Sequence, residues 1–398
     1  MPQYQPRYNK RPYNTKYRQS GGFRNTNRNR GQYIDPSKFV RTAKPIRIDE
    51  YENKFSFTDF EIEKLLKDNV VNKYSDTPTP IQDQTIPHGL DGKDIIGIAN
   101  TGTGKTAAFA IPLLNKLMKD RSSRALIVAP TRELAQQIED ECRALGKNSG
   151  IFGALLIGGT PMGPQLRDLS SNPNIVIGTP GRIKDHIERR TLKLASFNFV
   201  VLDEVDRMLD MGFINDVREI LSNLSSNRQS LFFSATLDSK VRTLIETFSK
   251  DPIMVSVQTE GASENVNQGI VRFSSDHEKI DKLHDILIKA EVEKILVFAD
   301  TQRNTEKLSK ILIDRGFKAD AIHGGKSQGQ RQRALNRFKK NEIKVLVATD
   351  VAARGIDVDN ITHVINYTKP QSYEDYIHRI GRAGRAGRVG HALTFLND

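Results

Sequence analysis

Three carboxylates crowd the end of one apolar run. Residues 199–206 read FVVLDEVD, which sets Asp203, Glu204 and Asp206 within four positions. Like charges this close destabilise one another unless a cation is held against them. Alone, the pattern also fits a buried strand that simply runs out into solvent. A second stretch, Ala99-Asn-Thr-Gly-Thr-Gly-Lys-Thr106, supplies what the acids lack. It has the spacing of a phosphate-binding loop between a strand and a helix, with Ala99 where the first glycine usually stands. The backbone N–H groups of Gly102, Thr103, Gly104, Lys105 and Thr106 can ring a phosphate, and the helix dipole adds attraction. Lys105 then reaches the β- and γ-phosphates, and Thr106 offers a hydroxyl to Mg²⁺. Asp203 fits the acid that holds this metal from a neighbouring strand, and Glu204 is placed to orient a water aimed at the γ-phosphate. The repulsion is relieved by a metal–nucleotide, so the expected chemistry is hydrolysis of a nucleoside triphosphate.

Such groups need rigid edges to stand on. From about residue 90 to 250, the runs DIIGIA, RALIVAP, NIVIGTP, FVVLDE and SLFFSAT alternate with helix-length amphipathic segments. GIVRFSS, KILVFAD, DAIHGG, KVLVATD, HVINY and HALTFL repeat the pattern to about 396. Short, continuously apolar strands alternating with helices predict parallel sheets covered on both faces. The polar clusters fall where strands end, the edge at which open α/β sheets place ligands. The reading is an α/β protein of two tandem parallel-sheet domains, 50–255 and 268–398, joined by a polar linker at 256–267. Two such sheets in series predict a ligand held between them.

Composition narrows the setting. No apolar run approaches the roughly 20 residues that span a bilayer, and the N-terminus lacks the apolar stretch of a secretory signal. One cysteine, Cys142, permits no intramolecular disulfide and suits a reducing, cytoplasmic interior. Within ELAQQIEDECRAL it reads as inert packing. Net charge is +12, and residues 1–34 hold eight Lys or Arg and no acid. Tyr4, Tyr8, Tyr13, Tyr17 and Tyr33 lie among them. Residues 1–45 have too few aliphatic side chains to offset their ordering entropy, so they are expected to be disordered. Interleaved arginines and aromatic rings predict contact with RNA phosphates and bases.

Over residues 55–396 the chain resembles the DEAD-box RNA helicases of superfamily 2, with DEVD in place of DEAD. TPTPIQ ends in Gln82, the family's adenine-reading glutamine, and Phe57 in FSFTDF matches its upstream aromatic. An amide both donates and accepts, which favours ATP over GTP. Pro130, Thr131 and Arg132 of PTREL, the Gly158–Gly159 pair, and Thr179, Pro180, Gly181 and Arg182 of TPGR resemble motifs that grip RNA backbone. Ser234, Ala235 and Thr236 match the segment that couples hydrolysis to unwinding, and Asp206 and His378 join that set. FADTQ (298–302) and HGGKSQGQR (323–331) stand in the family's order. In ATDVAARGID (348–357) the resemblance gives RNA contacts to Thr349, Asp350 and Arg354, and the nucleotide ribose to Asp357. In HRIGRAGR (378–385) it makes Arg382 and Arg385 the arginine fingers brought to the γ-phosphate.

The resemblance implies two RecA-like domains that close on ATP and single-stranded RNA, with Mg²⁺ as cofactor. It implies non-processive unwinding or remodelling of short RNA duplexes and RNA–protein complexes, largely blind to sequence. A clamp or chaperone with little turnover is the alternative, and a DNA-acting relative is disfavoured by TPTPIQ and HRIGR. Val205 replaces alanine in DEAD, and its bulk is expected beside the metal site. Lys73 stands where glycine is common, which is expected to alter the turn there. The chain stops about ten residues after HRIGRAGR, where relatives usually continue, so either the second domain is minimal or the sequence is cut.

Overall fold

A computed structural model describes residues 33–43, 51–100, 102–257, 265–289, 291–353, 358, 360–384 and 388–398. Its strands are β1 (Ile95–Ala99), β2 (Ala125–Val128), β3 (Gly153–Leu156), β4 (Ile175–Gly178), β5 (Phe199–Leu202), β6 (Gln229–Ser234) and β7 (Ile253–Val257), then β8 (Val266–Phe273), β9 (Ile295–Phe298), β10 (Ala319–Ile322), β11 (Val345–Ala348), β12 (His363–Asn366) and β13 (Gly390–Asn397). They form two sheets, in the orders β3-β4-β2-β5-β6-β1-β7 and β10-β11-β9-β12-β13-β8. All the paired strands run parallel. Alternate residues of the central strands feed opposite cores: Ile95 and Val201 pack with the helix Lys105–Lys119, while Ile96 and Val200 pack with Met208, Leu221 and Leu244. The second sheet is enclosed in the same way.

Every strand expected from an apolar run is present. The two that the sequence does not announce, β3 and β7, are edge strands with two of four and four of five positions at least partly exposed. An edge strand needs less apolar side chain to sit in a sheet, so it leaves a weaker signature. The strands also reach into the expected linker, since β7 continues to Val257 and β8 starts at Val266.

The expectation of disorder through residue 45 fails for residues 33–43. Asp35 caps a turn of 3₁₀ helix at Pro36–Phe39. Ile34 and Phe39 are buried against Val266, Tyr376, Ile380 and Ala392 of the second domain. The Phe39 ring meets Tyr376 edge-on at 4.7 Å. Arg41 and Gln268 exchange backbone hydrogen bonds of 3.1 and 2.7 Å, which pairs this segment antiparallel with β8. Two apolar anchors in eleven residues suffice because β8 is a sheet edge with free backbone groups. Residues 1–32, 44 and 45, with the expected RNA contacts of the tail, lie outside the described residues.

Two other expectations are corrected. Val205 is fully buried in the core beneath β5 and β6, so its extra methyl groups fill that core and do not crowd the carboxylates. Lys73 is helical and pairs with Glu141 at 2.5 Å. The left-handed turn falls instead at Ser75, with φ 63°. Cys142 is buried, and burial pushes its thiol well above the ordinary range, as inert packing requires.

Two measurements check these assignments. Val205→Ala should lower unfolding free energy by about 2 kcal/mol through the lost methyls and their cavity while leaving the turnover rate within a factor of about two. A large rate change with unchanged stability would mean that the side chain acts on the site. Phe39→Ala should destabilise the second domain by about 3–5 kcal/mol. An unmoved transition in thermal or urea unfolding would mean that residues 33–43 are not part of that domain.

Candidate active site and nucleic-acid interface

The sheet order decides which loops meet. β6 lies between β1 and β5, so the loop after β6 stands between the glycine-rich loop after β1 and the acids after β5. Gly102 and Gly104 adopt φ +83° and +91°, values open to glycine and strained for other residues. A Cβ on Gly104 would also lie 2.4 Å from Gln82 Nε2. Gln82 donates to the Gly104 carbonyl at 3.0 Å and accepts from Thr79 N at 2.8 Å, and the Thr79 hydroxyl donates to Thr103 O at 2.8 Å. The TPTPIQ segment is thus fastened to the loop through its own functional amide. Lys105 is buried and donates to Ala99 O at 3.0 Å. Neither a side-chain cap nor an acid occupies the first turn of the helix that Lys105 opens, so its leading N–H groups are left for an anion. Thr106 is half-buried in that turn.

Each acid of the cluster has a different environment. Asp203 is buried; its backbone N–H donates to Val128 O at 3.0 Å, and among the described residues the only hydrogen bond its carboxylate accepts is from Glu204 N, at 2.9 Å. Burial pushes its carboxyl up to about 6; Lys105 opposes that and Glu204 adds to it. Glu204 takes a left-handed backbone, φ 53° and ψ 54°. Burial would raise its carboxyl too, but Arg207, Arg382 and Lys105 outweigh it and hold the group below the usual carboxylate value. Asp206 Oδ2 accepts from Ala235 N at 3.0 Å, Thr236 N at 2.9 Å and the Thr236 hydroxyl at 3.1 Å, while Ser234 Oγ accepts from Asp206 N at 3.2 Å. The coupling residues expected after β6 are therefore bonded directly to the acid cluster.

The second domain closes over this site. Arg382 is buried and close enough to act on Glu204. Burial and Arg207 push the imidazole of His378, one turn earlier, below its ordinary range, with Asp206 opposing. Arg379, in the same helix, holds Asp350 with two hydrogen bonds of 2.5 and 2.7 Å and also donates to Thr368 O at 2.7 Å. The Asp350 carboxylate, expected to contact RNA, is thus bonded within its own domain. Arg354, Asp357 and Arg385 lie outside the described residues. Phe57 is fully buried, packed against Phe60 and Tyr74.

A second cavity, of about 450 Å³, opens between the domains and is lined by Pro130, Thr131, Arg132, Gly158, Thr179, Gly181 and Arg182 from the first and Gly324, Arg331 and Val351 from the second. The Arg132 guanidinium lies over the glycine pair, where a Cβ on Gly159 would come within 2.1 Å of it. Arg182 donates to Thr160 O at 3.3 Å. Pro180 starts the helix beneath the cavity, and Thr349 is nearly buried at the end of β11. Glu133 and Arg331 escaped the sequence reading, yet they form a buried pair of 2.9 Å across the domain boundary, with Gln328 donating to the same carboxylate at 3.3 Å. Both lie inside stretches already singled out, PTREL and HGGKSQGQR; that they face one another depends on tertiary structure.

Known proteins share this arrangement. Residues 79–244 match the DEAD/DEAH box helicase family, and residues 278–387 the helicase conserved C-terminal domain. The chain is 44% identical over 342 residues to the DEAD-box ATP-dependent RNA helicase CshA of Bacillus subtilis, covering 86% of this chain and 69% of that protein. Mss116p bound to ssRNA and AMP-PNP superposes with a TM-score of 0.76 at 33% identity, over 85% of this chain and 73% of that one. S. cerevisiae Dbp5 bound to RNA and ADP BeF3 gives the same TM-score of 0.76 at 28% identity, over 86% and 90%. With both domains matched in order and the carboxylates, glycine loop and facing arginine in one cleft, the chain belongs to the DEAD/DEAH box helicases.

Proposed function

We propose that this chain is an ATP-dependent RNA helicase, coupling ATP binding and hydrolysis to local, non-processive unwinding or remodelling of RNA duplexes and RNA–protein complexes. One observation carries this: two clefts lie between the same two domains, one acidic with a phosphate loop and one lined by arginines, and Asp206 ties the first to the segment after β6. Closure of the domains therefore builds both clefts at once, so occupying either favours the other.

The residues fit a magnesium nucleotide. A buried acid with no cation bonded to it among the described residues, beside a helix N-terminus without a side-chain cap, is suited to a metal-bound polyphosphate. Among the described residues no cluster of three or more His, Cys, Asp or Glu is arranged to hold a metal. Mg²⁺ would accordingly rest on Asp203, the Thr106 hydroxyl and the nucleotide's own phosphates. When bound it neutralises charge on the transferring phosphoryl group. Gln82 reads the adenine edge with the N–H and lone pair that Thr79 and Gly104 leave unused. Lys105 moves from the Ala99 carbonyl to the phosphates. Glu204 orients the attacking water, and Arg382 stabilises charge on the γ-phosphate.

RNA lies in the second cleft, with phosphates on Arg132, Arg182, Thr131, Thr179 and the backbone at Gly158–Gly159 and Gly181. Such contacts position the strand without reading its sequence. Among the described residues no helix is long and apolar enough to cross a membrane. The single buried cysteine is compatible with a reducing cytoplasm.

Steady-state hydrolysis tests this reading. Single-stranded RNA should stimulate ATP turnover strongly and DNA of the same sequence should not, and Glu204→Gln should lower the rate roughly 10²-fold or more while retaining ATP-dependent RNA binding. Equal stimulation by DNA would overturn the RNA assignment. ATP-dependent RNA binding without turnover in the wild-type chain would make the protein a clamp.

RNA affinity should fall steeply with salt, with a slope of about 0.7 per neutralised phosphate on single strands. Deleting residues 1–32 should flatten that slope if the basic tail contacts RNA, and an unchanged slope would exclude the tail.

A further inference from the structure

Arg207 follows the DEVD stretch and belongs to none of the motifs that the sequence displays, yet it is among the most enclosed cations of the cleft. Its Nη1 donates to Glu204 Oε2 at 2.9 Å, and the two side chains are only 6% and 7% exposed. Its backbone N–H donates to Asp206 Oδ1 at 2.9 Å. Arg207 therefore touches two of the three acids, Asp206 through its backbone and Glu204 through its guanidinium. On its far side lies the second domain, where a small cavity is lined by Arg207, Asp350, Asp375, His378, Arg379 and Arg382.

We propose that Arg207 is a positioning residue that sets the Glu204 carboxylate for hydrolysis only while the two domains are closed. Glu204 sits at a left-handed backbone position between β5 and the helix Val205–Asp210, and Arg207 is the side chain that bonds its carboxylate. The planar, five-donor guanidinium commits Oε2 to the protein and thereby fixes the plane of the carboxyl group. Holding a reacting group at a fixed angle is worth more to the rate than to substrate affinity. The pair also depends on enclosure. With the wall around His378 and Arg382 in place, the ion pair is shielded from water and strong. With the domains apart, Arg207 faces solvent and the same pair is weak. Glu204 is consequently aligned when the facing arginine arrives and loosened when it leaves, which would suppress futile hydrolysis in the open enzyme.

This rests on the hydrolytic reading proposed above. The test compares wild type, Arg207→Met and Arg207→Lys in the full chain, with and without Glu204→Gln. Arg207→Met should lower RNA-stimulated kcat about 10- to 100-fold, with KM for ATP and RNA affinity in AMP-PNP within about threefold. Arg207→Lys should recover part of the rate. In the Glu204→Gln background Arg207→Met should cost little more, since the group it orients is already disabled. A kcat within twofold of wild type for Arg207→Met would overturn the proposal. Equal losses in rate, RNA affinity and thermal stability, or full additivity with Glu204→Gln, would also overturn it by marking Arg207 as merely structural. A wild-type chain without RNA-stimulated hydrolysis would overturn the underlying reading, and this one with it.

Discussion

Three carboxylates at the end of β5 cannot be buried together unless each is compensated, and the architecture of the cleft follows from how that is done. Asp206 has its hydrogen bonds satisfied within its own domain by uncharged donors after β6. Glu204 is held by a guanidinium one turn ahead of it. Asp203 keeps only a backbone N–H and an electrostatic tie to Lys105, and burial has already raised its carboxyl. The three solutions differ in reach. One is local, one depends on the partner domain for its enclosure, and one is left to be completed from outside the chain.

That hierarchy explains why β6 lies between β1 and β5. A parallel sheet can carry its loops in many orders, but here the segment bonded to Asp206 separates the phosphate loop from the acids by one strand. A shift of the Ser234–Thr236 loop must move Asp206, and through it the turn that carries Glu204 and Arg207. The second domain supplies no strand to this sheet. At the acid cluster its leverage comes from the helix Tyr373–Ile380, whose Arg379 is pinned to Asp350 and Thr368. The helix is rigidly seated on its own sheet, so His378 and Arg382 approach the acids as parts of a body and not as mobile side chains.

Much of this was legible in the sequence because burial leaves a compositional trace. The runs IIGIA, ALIV, FVVL and QSLFFS could only be strands covered on both faces, and chemically unusual clusters stood at their ends. The signal faded where burial was partial: β3 and β7, at the sheet edges, mix exposed and buried positions. It failed where function depends on pairs distant in sequence. Nothing in PTREL says that Glu133 meets Arg331, nor does DEVD say that the next residue will hold its glutamate. Phe57 shows a different limit. An aromatic residue in a motif invites a ligand, but three phenylalanines within six residues of FSFTDF were enough to bury the middle one. The tail was judged by its average composition, which hid two apolar anchors among many polar residues.

Those anchors have a consequence for what a domain means in this protein. Residues 33–43 lie on the second sheet, while Tyr51, Lys54 and Phe55 are fastened to Asp83 of the first. Ala43 donates to Asn267 at 2.8 Å, so the chain leaves the second domain from the same corner at which the segment after Val257 enters it. The polypeptide thus passes between the two bodies twice, once in each direction. A cut between Val257 and Val266 would divide the chain but not the fold, because the N-terminal fragment would still carry a piece of its partner's core. Conversely, a fragment starting at Val266 would begin life with Tyr376 and Ile380 uncovered. The second domain is discontinuous, and its first residues are made before the first domain exists.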